Sequence, residues 1–99
     1  MITLSWSEWK YFNKDNIEKV PEESGVYQFD TQTETLYIGK TDNLRRRLME
    51  HLNSNDACIQ KTKFFKYLVT TSPERTEDAL LKDYKQRHGK LPECNEKID

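Results

Sequence analysis

Residues 36–52 read LYIGKTDNLRRRLMEHL, and this stretch decides the fold. Its first half carries the aromatic and β-branched residues of a strand and breaks at Gly39. Asp42 then offers an N-cap for a helix running to about His51 or Leu52. On a wheel of about 100° per residue, Leu44, Leu48 and Leu52 form one apolar stripe, and Arg46 and Glu50 face the other way, toward water. Arg45 borders the stripe on one edge, where its stem can run along the core boundary. Arg47 and His51 border it on the other edge, one turn apart. A guanidinium beside an imidazole singles out Arg47, although an exposed basic helix with ordinary edge residues is the simpler reading of helix geometry alone.

Outward from this stretch, GVYQFD (residues 25–30) reads as a second strand, and the polar run TQTE makes the pair a hairpin. Setting Tyr27 opposite Tyr37 places Gly25 opposite Gly39 and Phe29 opposite Thr35, with 30–34 as the loop. Both tyrosines then share a face, whereas a one-residue slip would separate them. KFFKYLVTT (63–71) reads as a third strand, apolar on both faces and therefore covered on both. Ser72 and Pro73 make an N-cap and N1 pair opening a helix to about His88, with Gly89 as its stop. Residues 6–20 are expected to be a short helical or irregular lead-in closed by Pro21, and KLPECNEKID an extended tail. The expected class is α+β: a small three-stranded antiparallel sheet flanked by helices, one domain over 1–99 with a core at 25–95 and a lead-in at 1–24.

The 16 basic and 17 acidic side chains leave a net charge of −1, which argues against a general nucleic-acid coating protein but permits a local basic face. MITLSWSEWKYF lacks the charged and apolar regions of a signal peptide, and no apolar run approaches the roughly 20 residues that span a bilayer. Cys58 and Cys94 have no C-x-x-C spacing and read as reduced thiols in a cytoplasmic protein, a lone disulfide between them being the alternative that nothing in the sequence supports.

The last helix holds a sharper anomaly. Leu80, Leu81 and Tyr84 define its apolar face, and Glu77 lies in the middle of that face. A carboxylate there is costly to desolvate unless it is paired, hydrogen-bonded or bound to metal. The plain alternative is a glutamate near the helix N-terminus that reaches past the core, helped by the dipole.

At these residues the chain resembles the GIY-YIG nuclease family. The half-motifs read as Gly25-Val26-Tyr27 and Tyr37-Ile38-Gly39, with their tyrosines ten residues apart; Arg47 follows the second tyrosine by ten, and His51 matches a histidine of many members. Glu77 with Leu80 and Leu81 matches the helix motif, and Pro92 to Asn95 the closing Pro-x-x-Asn. Two departures stand out: Val26 replaces the usual isoleucine, and KQRHGKL (85–91) lengthens the interval from Glu77 to Asn95 relative to the excision-repair members. An alternative alignment would put Asp83 in the acidic place, but Asp83 lies off the apolar face.

The resemblance implies a metal-dependent endonuclease acting on DNA. Tyr27, Tyr37, Arg47, His51 and Glu77 would be its catalytic set, with Gly25, Gly39, Lys40 and Asn95 supporting it. Glu77 would hold one Mg²⁺ or Mn²⁺ through a single carboxylate, which suits a hard cation completed by waters and phosphate oxygens. Arg47 would clamp the scissile phosphate. Tyr27 or Tyr37 would be the general base, a demanding task for a phenol that ionises near ~10, with Lys40 and His51 as the groups able to relay or lower its proton. Lys40, Arg45 and Arg46 would contact the DNA backbone. A silent module on the same fold, holding nucleic acid or protein without cleaving, is the alternative; a purely structural protein is the third. A chain this short leaves no room for a separate DNA-binding domain. Plain duplex should therefore bind no better than roughly 10⁻⁴–10⁻⁶ M, leaving selectivity to DNA shape, a second copy or a partner protein.

Overall fold

The computed structural model describes residues 5–97, with the Lys97 side chain left aside. Its elements are β1 (Lys10–Tyr11), α1 (Lys14–Ile17), β2 (Gly25–Asp30), β3 (Thr35–Thr41), α2 (Leu44–Leu52), a 3₁₀ turn (Ile59–Lys61), β4 (Phe64–Val69), α3 (Pro73–His88) and α4 (Glu93–Lys97). This is the α+β class expected, but the antiparallel sheet has four strands in the order β1-β4-β2-β3, not three. The extra strand is β1, two residues long and paired with Phe64 and Phe65. Its pairing comes from the far end of the chain: Ser7 N–H donates to the Tyr67 carbonyl and Phe12 N–H to the Lys63 carbonyl, both at 2.8 Å. No local pattern announces such a strand.

The sheet separates two layers. On one face, Tyr27, Phe29 and Phe65 pack with Ile17, Val20, Leu44, Leu48 and Ile59 of α1, α2 and the turns between them. The other face carries Val26, Ile38 and Leu68, also buried, on the side crossed by α3. Phe65 and Leu68 are thus buried on opposite faces of β4, as its sequence suggests, while Val69 at its end stays exposed.

The hairpin register differs from the expected one. Tyr27 faces Gly39, Phe29 faces Tyr37 and Gly25 faces Thr41, a shift of two residues. A bulge between Phe29 and Asp30 brings Asp30 opposite Thr35, and Thr31 closes the turn by accepting Glu34 N–H on its hydroxyl. A two-residue shift preserves the pleat, so Tyr27 and Tyr37 still share a face.

Two helix ends also depart from the sequence reading. The N-cap of α2 is Asn43, whose side chain accepts Arg46 N–H at 3.1 Å, while Asp42 pairs with the Arg46 guanidinium. At the end of the chain the tail is not extended: residues from Glu93 form α4 against β3. Helix α3 runs as expected from N-cap Ser72 and N1 Pro73 to Gly89, which takes the left-handed conformation at φ 76°.

The cysteines overturn the reduced-thiol expectation. Cys58, before the 3₁₀ turn, and Cys94, in α4, form a disulfide with Cα atoms 5.8 Å apart across 36 residues of chain. Local spacing could not show this, because pairing depends on where α4 docks. Closing a loop of this length is worth about 3–4 kcal/mol in chain entropy. Denaturant titrations with and without a dithiol should differ by about that amount, and equal midpoints would deny the cross-link a structural role. The thiol argument for a cytoplasmic location goes with it. Among the described residues no helix is long and apolar enough to cross a membrane.

Candidate active site

Tyr27 is held by β2, the central strand flanked by both β4 and β3, and is 1% exposed. Its ring lies over Gly39: a Cβ added there would come within 2.5 Å of the Tyr27 ring and 2.7 Å of Tyr37. The second glycine of the motif is therefore the space in which the two phenols pack. Gly25 is tight for a different reason, since a side chain there would run into the Leu68 carbonyl and Leu44.

The Tyr27 hydroxyl meets His51 Nε2 at 2.8 Å. His51 comes from the edge of α2 and is only 6% exposed, deeper than a boundary position suggests. Burial and then the charge of Arg47 lower its pKa to about 4, so the imidazole is neutral at physiological pH. Burial raises the Tyr27 phenol well above its ordinary range, Tyr37 adds to the rise, and the positive charge of Arg47 opposes it. Tyr37 sits 6.0 Å from Tyr27 and 5.7 Å from His51, ring centre to ring centre, and its phenol is also raised by burial and opposed by Arg47.

Arg47 stands one turn before His51 with its side chain 40% exposed, and its guanidinium bonds Glu50 at 3.0 Å. Glu77 approaches from α3. Its carboxylate is 20% exposed and lies 3.8 Å from the Lys40 ammonium; burial raises its pKa, with Lys40 opposing. Asn95 closes the edge of the sheet. Its side-chain oxygen accepts Ile38 N–H and its amide donates to the Ile38 carbonyl, both at 2.9 Å. One amide side chain thereby satisfies both outward groups of an edge-strand residue, as a neighbouring strand would.

These groups converge. Tyr27, Tyr37, Lys40, Arg47, Glu77 and Asn95 line one cleft of about 370 Å³, with Leu81 and Leu91 as apolar walls. Other candidates lie elsewhere. Arg45 donates from Nε to the Val20 carbonyl at 2.7 Å and pairs with Glu22, and Arg46 pairs with Asp42 and Glu50. Asp83, the alternative acid, bonds Arg87 along α3 and lines a different groove. Sequence reading missed Glu50 as the partner of Arg47, although its i+3 spacing was a usable signal. Among the described residues there is no group of three or more His, Cys, Asp or Glu placed to hold a metal. A cation here would rest on Glu77 alone among protein carboxylates, with oxygens from water and substrate.

The family model that matches residues 3–87 is described as a domain of unknown function, DUF7508. UvrABC system protein C of Aquifex aeolicus is 32% identical over 84 residues, which are 76% of this chain and 15% of that protein. The same protein of Hydrogenobaculum sp. is 41% identical over 51 residues, 52% of this chain and 9% of that protein. The chain thus spans a small fraction of the length of these relatives. Among solved structures, the GIY-YIG N-terminal endonuclease domain of UvrC from Thermotoga maritima, bound to magnesium as its catalytic divalent cation, superposes with a TM-score of 0.58 at 27% identity, covering 82% of this chain and 97% of that one. A tyrosine-to-phenylalanine mutant of that domain, bound to its catalytic divalent cation, gives a TM-score of 0.60 at 26% identity, covering 80% and 89%. The chain thus belongs to the DUF7508 family and is a GIY-YIG domain similar to that of UvrC.

Proposed function

We propose that this chain is an endonuclease that hydrolyses phosphodiester bonds in DNA with the help of one divalent cation, Mg²⁺ or Mn²⁺. The observation that carries the reading is the convergence of two tyrosines, an arginine and a half-buried glutamate, from four different elements, in one cleft. The cation-bound UvrC domain of similar fold supports it.

Each residue has a task its environment suits. Arg47 presents a planar fork to a phosphate and opposes the charge that develops on it. Tyr27 takes the proton from the attacking water only if its own proton can leave. The neutral His51, with Nε2 as acceptor in the matching tautomer, is the group placed to receive it. Glu77 would hold the cation, and the half-exposed Lys40 must swing off that carboxylate to let it bind. When bound, the cation supplies charge neutralisation and an acidified water. The deciding experiment is incubation with supercoiled, branched, flapped and single-stranded DNA in Mg²⁺ or Mn²⁺. Product that needs the metal supports the reading, and intact substrate throughout overturns it.

The arginine pairings favour a second reading, a module that binds without cutting, because Arg45, Arg46 and Arg47 each already face a carboxylate. The same assay separates the two. It also defines what Glu50 does. Phosphate and Glu50 compete for the Arg47 guanidinium, so Glu50→Gln should tighten duplex binding about two- to five-fold, the scale of one exposed ion pair. The gain should show in KM and leave kcat nearly unchanged. Unaltered binding would show that Arg47 does not meet phosphate. Acting on DNA, the domain would work in the cytoplasm, where thiol reductants meet its cystine.

A further inference from the structure

The disulfide stands next to the cleft. Cys94 precedes Asn95, whose side chain holds both backbone groups of Ile38, and Ile38 lies between Tyr37 and Gly39. Helix α4 is five residues long, too short to persist without tertiary ties. Ties among the described residues hold it down. The Asn95 pair fastens it to β3; Lys61 bonds Glu93 at 2.6 Å in a half-exposed pair; and Cys94, fully buried, is joined to Cys58 beside the 3₁₀ turn. An exposed ion pair adds little, so the covalent tie dominates.

We infer that the Cys58–Cys94 cross-link is a positioning device for the active cleft: by pinning α4 it keeps Asn95 on Ile38, and the output of the site depends on the thiol–disulfide state of the chain. The inference about output rests on the nuclease reading; the inference about position does not. The chemistry is ordinary exchange. A dithiol attacks one sulfur, the S–S bond breaks, and a second attack closes the reductant into its own cyclic disulfide, leaving Cys58 and Cys94 as thiols after two protons are taken up. Both cysteines are buried, which keeps an attacking thiolate away until the site opens locally, so the tie resists casual reduction. Once it opens, Asn95 keeps its hydrogen bonds only while α4 stays docked. Ile38 then becomes an edge residue open to water, and the strand that carries Tyr37 loses its outer support.

Hydrogen exchange at the Ile38 amide reads position directly. It is compared in the oxidised chain, the chain reduced with excess dithiothreitol, and the Cys58→Ser/Cys94→Ser double variant, with thiols counted in each. We expect Ile38 exchange to rise about ten-fold or more in both thiol forms, with the central strand β2 still protected. Metal-dependent nicking of supercoiled plasmid should fall about 10- to 100-fold in kcat in the same two forms, and the double variant should ignore the reductant. Ile38 exchange that is identical in all three forms would overturn the proposal, as would full nicking activity in the double variant. If no form nicks DNA, the nuclease reading fails, and the exchange data alone decide whether the cross-link positions Asn95.

Discussion

Replacing Glu77 with alanine should lower metal-dependent cleavage by on the order of 10³-fold or more, the scale seen when a principal electrostatic group is removed from an active site, and should leave the fold standing. The argument begins with cost. Glu77 sits on the apolar side of α3 with Leu80 and Leu81, and its carboxylate is largely shielded. Its one ion-pair partner among the described residues is Lys40 at 3.8 Å, a length at which the hydrogen-bond component is weak. Burial raises its pKa, so folding favours the protonated carboxyl. Between its unfolded and folded pKa values the native chain holds more protons, and stability falls as pH rises through that window; at neutral pH the full cost of the ionised form is present. Alanine removes that cost, so the variant should melt at or slightly above the wild-type temperature. An inactive, stable variant is what a functional carboxylate predicts. Wild-type cleavage by Glu77→Ala would sink the assignment and make Asp83 the next residue to replace.

Much of this arrangement could be read from the chain, and the limits have physical causes. The leucine stripe of α2 and the Ser72-Pro73 and Gly89 ends of α3 are local signals, and the structure follows them. Asn43 displaced Asp42 as the cap because adjacent residues of equal capping propensity are separated only by the path of the chain out of β3. The hairpin register moved by two because a bulge at Phe29 and Asp30 and a four-residue turn absorb length that alternation alone cannot count. The tyrosines survived the error since an even shift keeps every side chain on its face. Strand β1, helix α4 and the disulfide share one explanation: each exists only because distant segments meet, and two or five residues carry no period of their own. Convergence of the cleft is tertiary too. The tyrosines, Arg47 and Glu77 stood out one at a time, but only the fold shows His51 bonded to Tyr27 and Glu50 bonded to Arg47.

The Tyr27–His51 pair should set the acid limb of activity. An ordinary imidazole would protonate near ~6.5, but burial first and the Arg47 charge second bring His51 down to about 4. It therefore stays neutral, hydrogen-bonded to the Tyr27 hydroxyl, through the whole range from neutral pH to well below 6. The profile of kcat/KM against pH, which reports the free enzyme, should hold up until the pH nears the low value and then fall. The stability sign agrees. The folded pKa lies below the unfolded one, so the unfolded chain binds the proton first, and stability drops as pH falls from about 6.5 toward 4 and levels beyond. Tyr27→Phe should cost about 10²- to 10⁴-fold in kcat, the usual scale of general acid–base catalysis. His51→Phe should cost a comparable factor in rate and also about 1–3 kcal/mol of stability, since the buried Tyr27 hydroxyl loses its partner. The Tyr27→Phe/His51→Phe double variant should be less destabilised than the two single effects summed, because no polar group is then left stranded. Single-turnover rates with Mg²⁺ across pH 4 to 9, beside melting curves of the four proteins, check all of this. An acid limb inflecting near ~6.5 would deny that burial lowers the His51 pKa, and a Tyr27→Phe enzyme that cuts at the wild-type rate while Tyr37→Phe does not would move the base to Tyr37 and leave His51 a packing residue.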